Sequence, residues 1–200
     1  MISRGFEVLP TSESLLVSPV VEPVKNSWKV YLPEGKWCDL WTGKICHGPS
    51  TIKVNAPQDR IPVFQRYGSI VPLNLGNTLE LCSPVGNSTE EIINVVLLVF
   101  SGETKRVEFF QGKGNPTTRI SVQNDQSKDS VSITVEGLIS AVDILVLGKE
   151  PHKVIIDGNL IADLEEGGTC ETFFWTRMPD RKCVRIHLPE NLGTVTAFLS

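Results

Sequence analysis

Residues 32–44 read LPEGKWCDLWTGK and set Trp37 and Trp41 at equal spacing around Asp39, in a chain with only four tryptophans. On a strand, residues at spacing two share a face. Two indoles on one face suit stacking against the apolar face of a sugar ring, and a carboxylate between them could move a proton. The same spacing equally serves a strand that packs its indoles on a neighbouring element and uses the acid as scaffold. Trp175 is a third candidate stacking surface.

Other carboxylates offer less. Glu90 with Glu91, Glu165 with Glu166, and Asp143 or Asp157 near strand ends are the available acids. Paired acids catalyse only when their surroundings drive their pKa values apart in a cleft, and adjacent glutamates before Gly167-Gly168 read as a solvated turn. No Gly-x-Ser-x-Gly elbow occurs. His47, His152 and His187 are scattered, and His187, between Ile186 and Leu188, should point away from their face in a polar role. The five cysteines have no C-x-x-C spacing, so no metal is expected and the thiols read as reduced and structural. Asn87-Ser88-Thr89 has only the form of a glycosylation sequon.

The elements that must carry these residues are strands. Ile120 and Val122, then Val131, Ile133 and Val135, then Val184, Ile186 and Leu188 alternate with polar neighbours, the pattern of half-buried strands. The run around Ile92 to Phe100 is continuously apolar and suits a buried strand, being too short to span a bilayer as a helix. Turn signals recur at Pro33-Glu34-Gly35, Thr42-Gly43, Asn55-Ala56-Pro57, Tyr67-Gly68, Gly112-Lys113-Gly114 and Asp157-Gly158. The last, inside VIIDGNLI, is the strongest hairpin signal, because Asp-Gly accepts the positive φ angles of a type I′ turn. Pro33 presets a turn after a strand at Val30–Leu32, which puts Trp37, Asp39 and Trp41 on a returning strand. Pro62 interrupts an apolar run and marks an edge strand or a bulge. Arg60 and Arg66 read as partners of salt bridges or as surface charges.

Many short strands with regular turns make the fold all-β, two consecutive antiparallel β-sandwiches. The segment NLGNTLELCSPVGNSTEE, rich in Asn, Gly and Ser, places the boundary between residues 74 and 92. Two hundred residues can bury roughly 70% of their unfolded surface, enough for such a pair. A net charge of −4 with scattered Lys and Arg excludes a nucleic-acid or membrane partner. MISRGFEVLPTSES has no apolar leader core, which favours a cytoplasmic location.

Three stretches then carry a resemblance. LLVSPVVEP (15–23), VYLPEGKWCDLWTGK (30–44) and NAPQDRIPVFQRYGSIVPL (55–73), in that order and with those gaps, resemble the C-terminal part of glycoside hydrolase family 31, the α-glucosidase and α-xylosidase family. The resemblance implies that residues 1–23 hold the last strand of a catalytic (β/α)8 barrel, 24–78 a proximal sandwich and 79–200 a distal one. It is close over residues 6 to 75 and looser beyond, where EFFQGKG (108–114) replaces the Tyr-Glu-Asp-Asp-Gly of many relatives. Family members are expected to hydrolyse terminal α-linked glucose or xylose with two barrel aspartates and no cofactor, the nucleophile lying in a motif like Trp-x-Asp-Met-Asn-Glu. These residues contain no such motif and at most one barrel strand, so no catalytic residue is expected here. The resemblance makes Asp39 scaffold.

LLVSPVV reads as a strand buried on both faces of a parallel sheet. Without its neighbours it must pack onto the sandwich, swap into another copy or stay exposed, so the expected partner of residues 15–21 is the barrel or a second copy of the chain. Two other readings stand beside barrel support. One is an independent carbohydrate-binding module using Trp37, Trp41 or Trp175; the other is an interaction protein without a ligand.

Overall fold

Among the described residues, the alternation of apolar residues becomes fifteen strands. The computed structural model describes residues 14–20, 27–57, 60–74, 95–102, 105–110, 117–138, 141–161, 174–178, 182–190 and 193–200, and all regular elements among them are β. Glu90–Glu91, Glu165–Glu166, the sequon at Asn87, the turn at 112–114, Cys82, Cys170 and the boundary segment itself lie outside the described residues. The chain divides into two compact units, Met1–Tyr67 and Gly68–Ser200.

The first unit is one antiparallel sheet in the order β1-β4-β2-β3, built from β1 (Leu15–Val17), β2 (Ser27–Asp39), β3 (Ile45–Asn55) and β4 (Val63–Arg66). Pro33-Glu34-Gly35 does not turn the chain back. β2 runs through it against β3, and the register slips between Leu32↔Ser50 and Gly35↔Gly48, so that Pro33 and Glu34 oppose Pro49 alone. This is a bulge, and its extra residue shifts the phase of the strand by one. Val30 and Leu32 therefore share the buried face with Trp37, an odd position joining even ones, together with Cys46, Phe64 and Leu16. Gly35 takes φ 129° at the bulge. Across from it, a Cβ on Gly48 would stand 1.8 Å from the Pro33 carbonyl oxygen, so only glycine fits there.

Two expectations change in this unit. Pro62 lies just before β4, which is an inner strand between β1 and β2, not an edge. Leu15–Val17 pairs antiparallel with β4 through Leu15↔Gln65 and Val17↔Val63, so the apolar strand is taken up by the sheet, with only Leu16 fully buried.

The second unit is a two-sheet sandwich. One sheet has the order β13-β14-β10-β6-β5 and comprises β5 (Ser69–Asn74), β6 (Val95–Phe100), β10 (Val142–Leu147), β13 (Phe174–Met178) and β14 (Cys183–Leu188). The other, in the order β12-β11-β15-β9-β8-β7, comprises β7 (Lys105–Phe110), β8 (Thr117–Asp125), β9 (Ser130–Leu138), β11 (Val154–Ile156), β12 (Asn159–Ile161) and β15 (Gly193–Leu199). β5 pairs with β6, so residues 69–74 belong to this unit, ahead of the composition change after residue 74. The inward faces meet in one core that includes Leu97, Ile144 and Ile186 from the first sheet and Ile120, Ile133 and Leu199 from the second. β6 is buried at every position, as its unbroken apolar run requires.

One pairing departs from an antiparallel plan: β6 and β10 run parallel, Val95↔Val142 through Val99↔Val146. Parallel neighbours need a long crossover, and β7, β8 and β9 provide it by crossing to the opposite sheet. The Asp157-Gly158 turn forms as its sequence requires. It joins β11 to β12 with Ile156↔Asn159 closing the pair, and φ is 47° at Asp157 and 84° at Gly158.

Candidate functional site

The bulge decides what the tryptophans can do. Trp37 is 4% exposed, and its indole N–H donates to the Pro33 carbonyl at 2.9 Å, satisfying an acceptor that the bulge takes out of the ladder. Arg66 sits over the ring at 5.8 Å. Trp41 is not on the strand with Trp37; it lies in the turn between β2 and β3. Its N–H is held by Asp39 Oδ1 at 2.9 Å, its indole N–H donates to the Ile61 carbonyl at 2.7 Å, and Arg60 covers the ring at 5.2 Å. The shared face of Trp37, Asp39 and Trp41 is therefore not formed. Asp39 is a turn cap: its N–H donates to Lys44 O and its carbonyl accepts from Gly43 N–H, with φ 63° at Gly43. The two arginines act as cation–π lids on indoles.

Trp175 is 2% exposed on β13 and donates its indole N–H to the Ile161 carbonyl at 3.0 Å, under Arg177 at 4.9 Å. Burial removes Trp37 and Trp175 from stacking on any ligand. Only Trp41, of the three named candidates, keeps a partly exposed ring.

The sequence reading missed the most charged interior cluster among the described residues. Asp143 on β10 faces His187 directly across the β10–β14 ladder, and Arg185 lies one pair further along the same face. The Arg185 fork donates to Asp143 through Nε at 2.8 Å and Nη2 at 3.1 Å, while His187 Nδ1 stands 3.0 Å from Oδ1. His187 does point away from the core face of Ile186 and Leu188, but into a buried position, 4% exposed. Burial pushes the Asp143 carboxyl upward, yet the hydrogen bonds from His187 and Arg185 and their charges outweigh it and hold it below its ordinary value. An ionised carboxylate only accepts, so the imidazole presents Nδ1–H to it. The cluster clamps two strands.

That direction bears on chemistry. A glycosidase general acid needs a carboxyl raised so that it keeps its proton near neutrality. The described carboxyls that are displaced all move down: Asp143 as above, Asp125 through the Ser127 hydrogen bond, and Asp129 through its hydrogen bond and charge pairing with Lys149. Asp157 is spent on tying its hairpin turn to β15, accepting Thr196 N–H at 2.8 Å. The described cysteines, Cys38, Cys46 and Cys183, are buried, and burial pushes the Cys46 thiol up, away from a reactive thiolate. Among the described residues, no group of three or more His, Cys, Asp or Glu is gathered as a metal would need.

Comparison with known proteins follows the same line. Residues 10–71 match the model of the glycosyl hydrolase family 31 C-terminal domain. The isomaltosyltransferase of Sporosarcina globispora is 27% identical over 150 residues, which cover 75% of this chain and 14% of that protein. The α-xylosidase of Saccharolobus solfataricus is 34% identical over 102 residues, covering 50% of this chain and 13% of the enzyme. The cycloalternan-forming enzyme of Listeria monocytogenes, solved with a pentasaccharide substrate, superposes with a TM-score of 0.82 at 27% identity, over 94% of this chain and 18% of that one. The chain thus spans about one seventh of the length of these curated relatives.

Proposed function

Because the chain belongs to the C-terminal region of glycoside hydrolase family 31, we propose that it is the non-catalytic β-sandwich support of a retaining α-glycosidase barrel. The parent reaction in this reading is hydrolysis of a terminal α-linked glucose or xylose. The observation that carries it is the coincidence of the family match at residues 10–71 with a superposition that continues over 94% of the chain. The downward displacement of Asp125, Asp129 and Asp143 supports a supporting role, since none is poised to protonate a leaving group.

β1 is the element that would meet the barrel. It closes the sheet order of the first unit, and an apolar terminal strand is a template for a further strand. Residues 15–21 then engage the barrel or, in its absence, a second copy of the chain. The test is reconstitution. A family 31 barrel expressed without its C-terminal region should gain nitrophenyl α-glucoside or α-xyloside hydrolysis when this chain is supplied, while the chain alone stays inactive. Hydrolysis by the chain alone, free of host glucosidase, would refute the reading. Light scattering of the isolated chain should show association, and a strictly monomeric chain would count against this contact.

A further inference from the structure

The outward face of the six-stranded sheet carries a feature that barrel support does not use. Gln123, Ser132 and Phe198 lie side by side on β8, β9 and β15, in direct cross-strand register. Their neighbours Val122, Ile133 and Ala197 are buried in the core, so this row faces outward. It spans two strand spacings, roughly 10 Å. The row lines an open groove of about 640 Å³, whose remaining wall comes from the end of β8, the turn that follows it, Ser130 at the start of β9 and Gly102. That volume is within the range of small-ligand sites.

The chemistry of the wall is selective. Two amides, Gln123 and Gln126, offer donors and acceptors together. The two charged groups cancel, because Lys128 Nζ stands 3.4 Å from Asp125 Oδ2. An anionic ligand has no net field to answer, and a cation has none either. Phe198 is a partly exposed ring among these polar groups. The turn is set in advance: Asp125 Oδ1 accepts from Ser127 N–H at 3.1 Å and from its hydroxyl at 2.6 Å, and Asp129 takes φ 47° while pairing with Lys149.

We propose that this groove is a binding site for a neutral oligosaccharide, an α-linked gluco-oligosaccharide, held by the Gln123 and Gln126 amides with a pyranose ring against Phe198. A neutral polyol meets both demands of the wall, because each hydroxyl donates and accepts and each ring has an apolar C–H face. The choice of an α-glucan rests on the family 31 reading; the groove chemistry alone specifies the neutral sugar.

The test titrates the full chain calorimetrically with maltohexaose, isomaltohexaose and cellohexaose, and follows the side-chain amide NMR signals of Gln123 and Gln126. Saturable binding of an α-linked hexaose is expected, with shifts at those amides. Gln123→Ala and Gln126→Ala, both at exposed positions that leave the core intact, should each weaken binding roughly fivefold, the worth of one hydrogen bond. Phe198→Ala should abolish it at an unchanged melting temperature, and Trp41→Ala should leave it unchanged. No saturable binding, or binding indifferent to all three groove variants, would overturn the proposal. So would preference for cellohexaose. Neither failure touches the family reading, which the barrel reconstitution decides separately.

Discussion

The two units solve the problem of burying a sheet differently. Gly68–Ser200 closes on itself: two sheets face each other over one core, and each supplies half of the wall. Met1–Tyr67 has one described sheet. Its cluster holds six buried residues, and Trp28, Ile52 and Val54 at one end are only partly covered. A single sheet cannot bury its apolar face without a second layer. The first unit compensates with local devices: a phase-shifting bulge, indole N–H groups donating to the Pro33 and Ile61 carbonyls, and arginines laid on indoles. One unit is stable by enclosure. The other is held by particular residues at particular points.

That contrast can be broken most forcefully at Gly48. Gly48→Ala drives a methyl into the Pro33 carbonyl and should cost on the order of 4 kcal/mol or more, unfolding the first unit while the second survives. Trp28, Trp37 and Trp41 report the first unit and Trp175 the second, so urea melts by tryptophan fluorescence separate the two. If both units melted together, the contrast would fail. Asp143→Asn removes the anion between Arg185 and His187 and should cost the second unit roughly 3–5 kcal/mol, read as faster amide hydrogen exchange in β10 and β14.

The same residue sets an acid limit on the second unit. Its folded value is depressed, so its contribution is fully present above the ordinary 3.8 and is lost as pH falls through the lower folded value. Urea stability of the second unit should therefore drop below pH 3.8, and Asp143→Asn should flatten that drop. Trp41→Ala gives the smallest effect. It removes the ring beneath Arg60 and the bond to Ile61, about 1 kcal/mol, measurable as a small shift in the first unit's midpoint only.

Much of the architecture was legible because it is written in local periodicity. Val131, Ile133 and Val135 alternate and form one face of β9; VIIDGNLI contains its own turn chemistry and folds into the hairpin it specifies. The bulge was misread because Pro-Glu-Gly suits a turn as well. A signal was present: Leu32 and Trp37 are an odd number of residues apart, which a regular strand cannot place on one face. The parallel β6–β10 pair left no local trace, since pairing across crossover strands depends on the whole sheet. The Asp143 cluster was hidden for the same reason, its partners being 42 and 44 residues away. Of the candidate stacking residues, Trp37 and Trp175 are buried and Trp41 is partly exposed, a difference hidden in the sequence because an indole reads alike whether it lines a site or plugs a bulge.

The buried strand β6 has a further consequence during synthesis. Val95–Phe100 is six residues without a charge or proline, rich in β-branched and aromatic side chains, which is the composition of a self-pairing segment. β5 precedes it and can cover one edge as the chain emerges, but the other edge waits for β10. At translation rates of ~5–20 residues per second, that edge stays open for seconds. Overproduction should therefore partition the chain into inclusion bodies through this segment, and slower synthesis in the cold should return it to the soluble fraction.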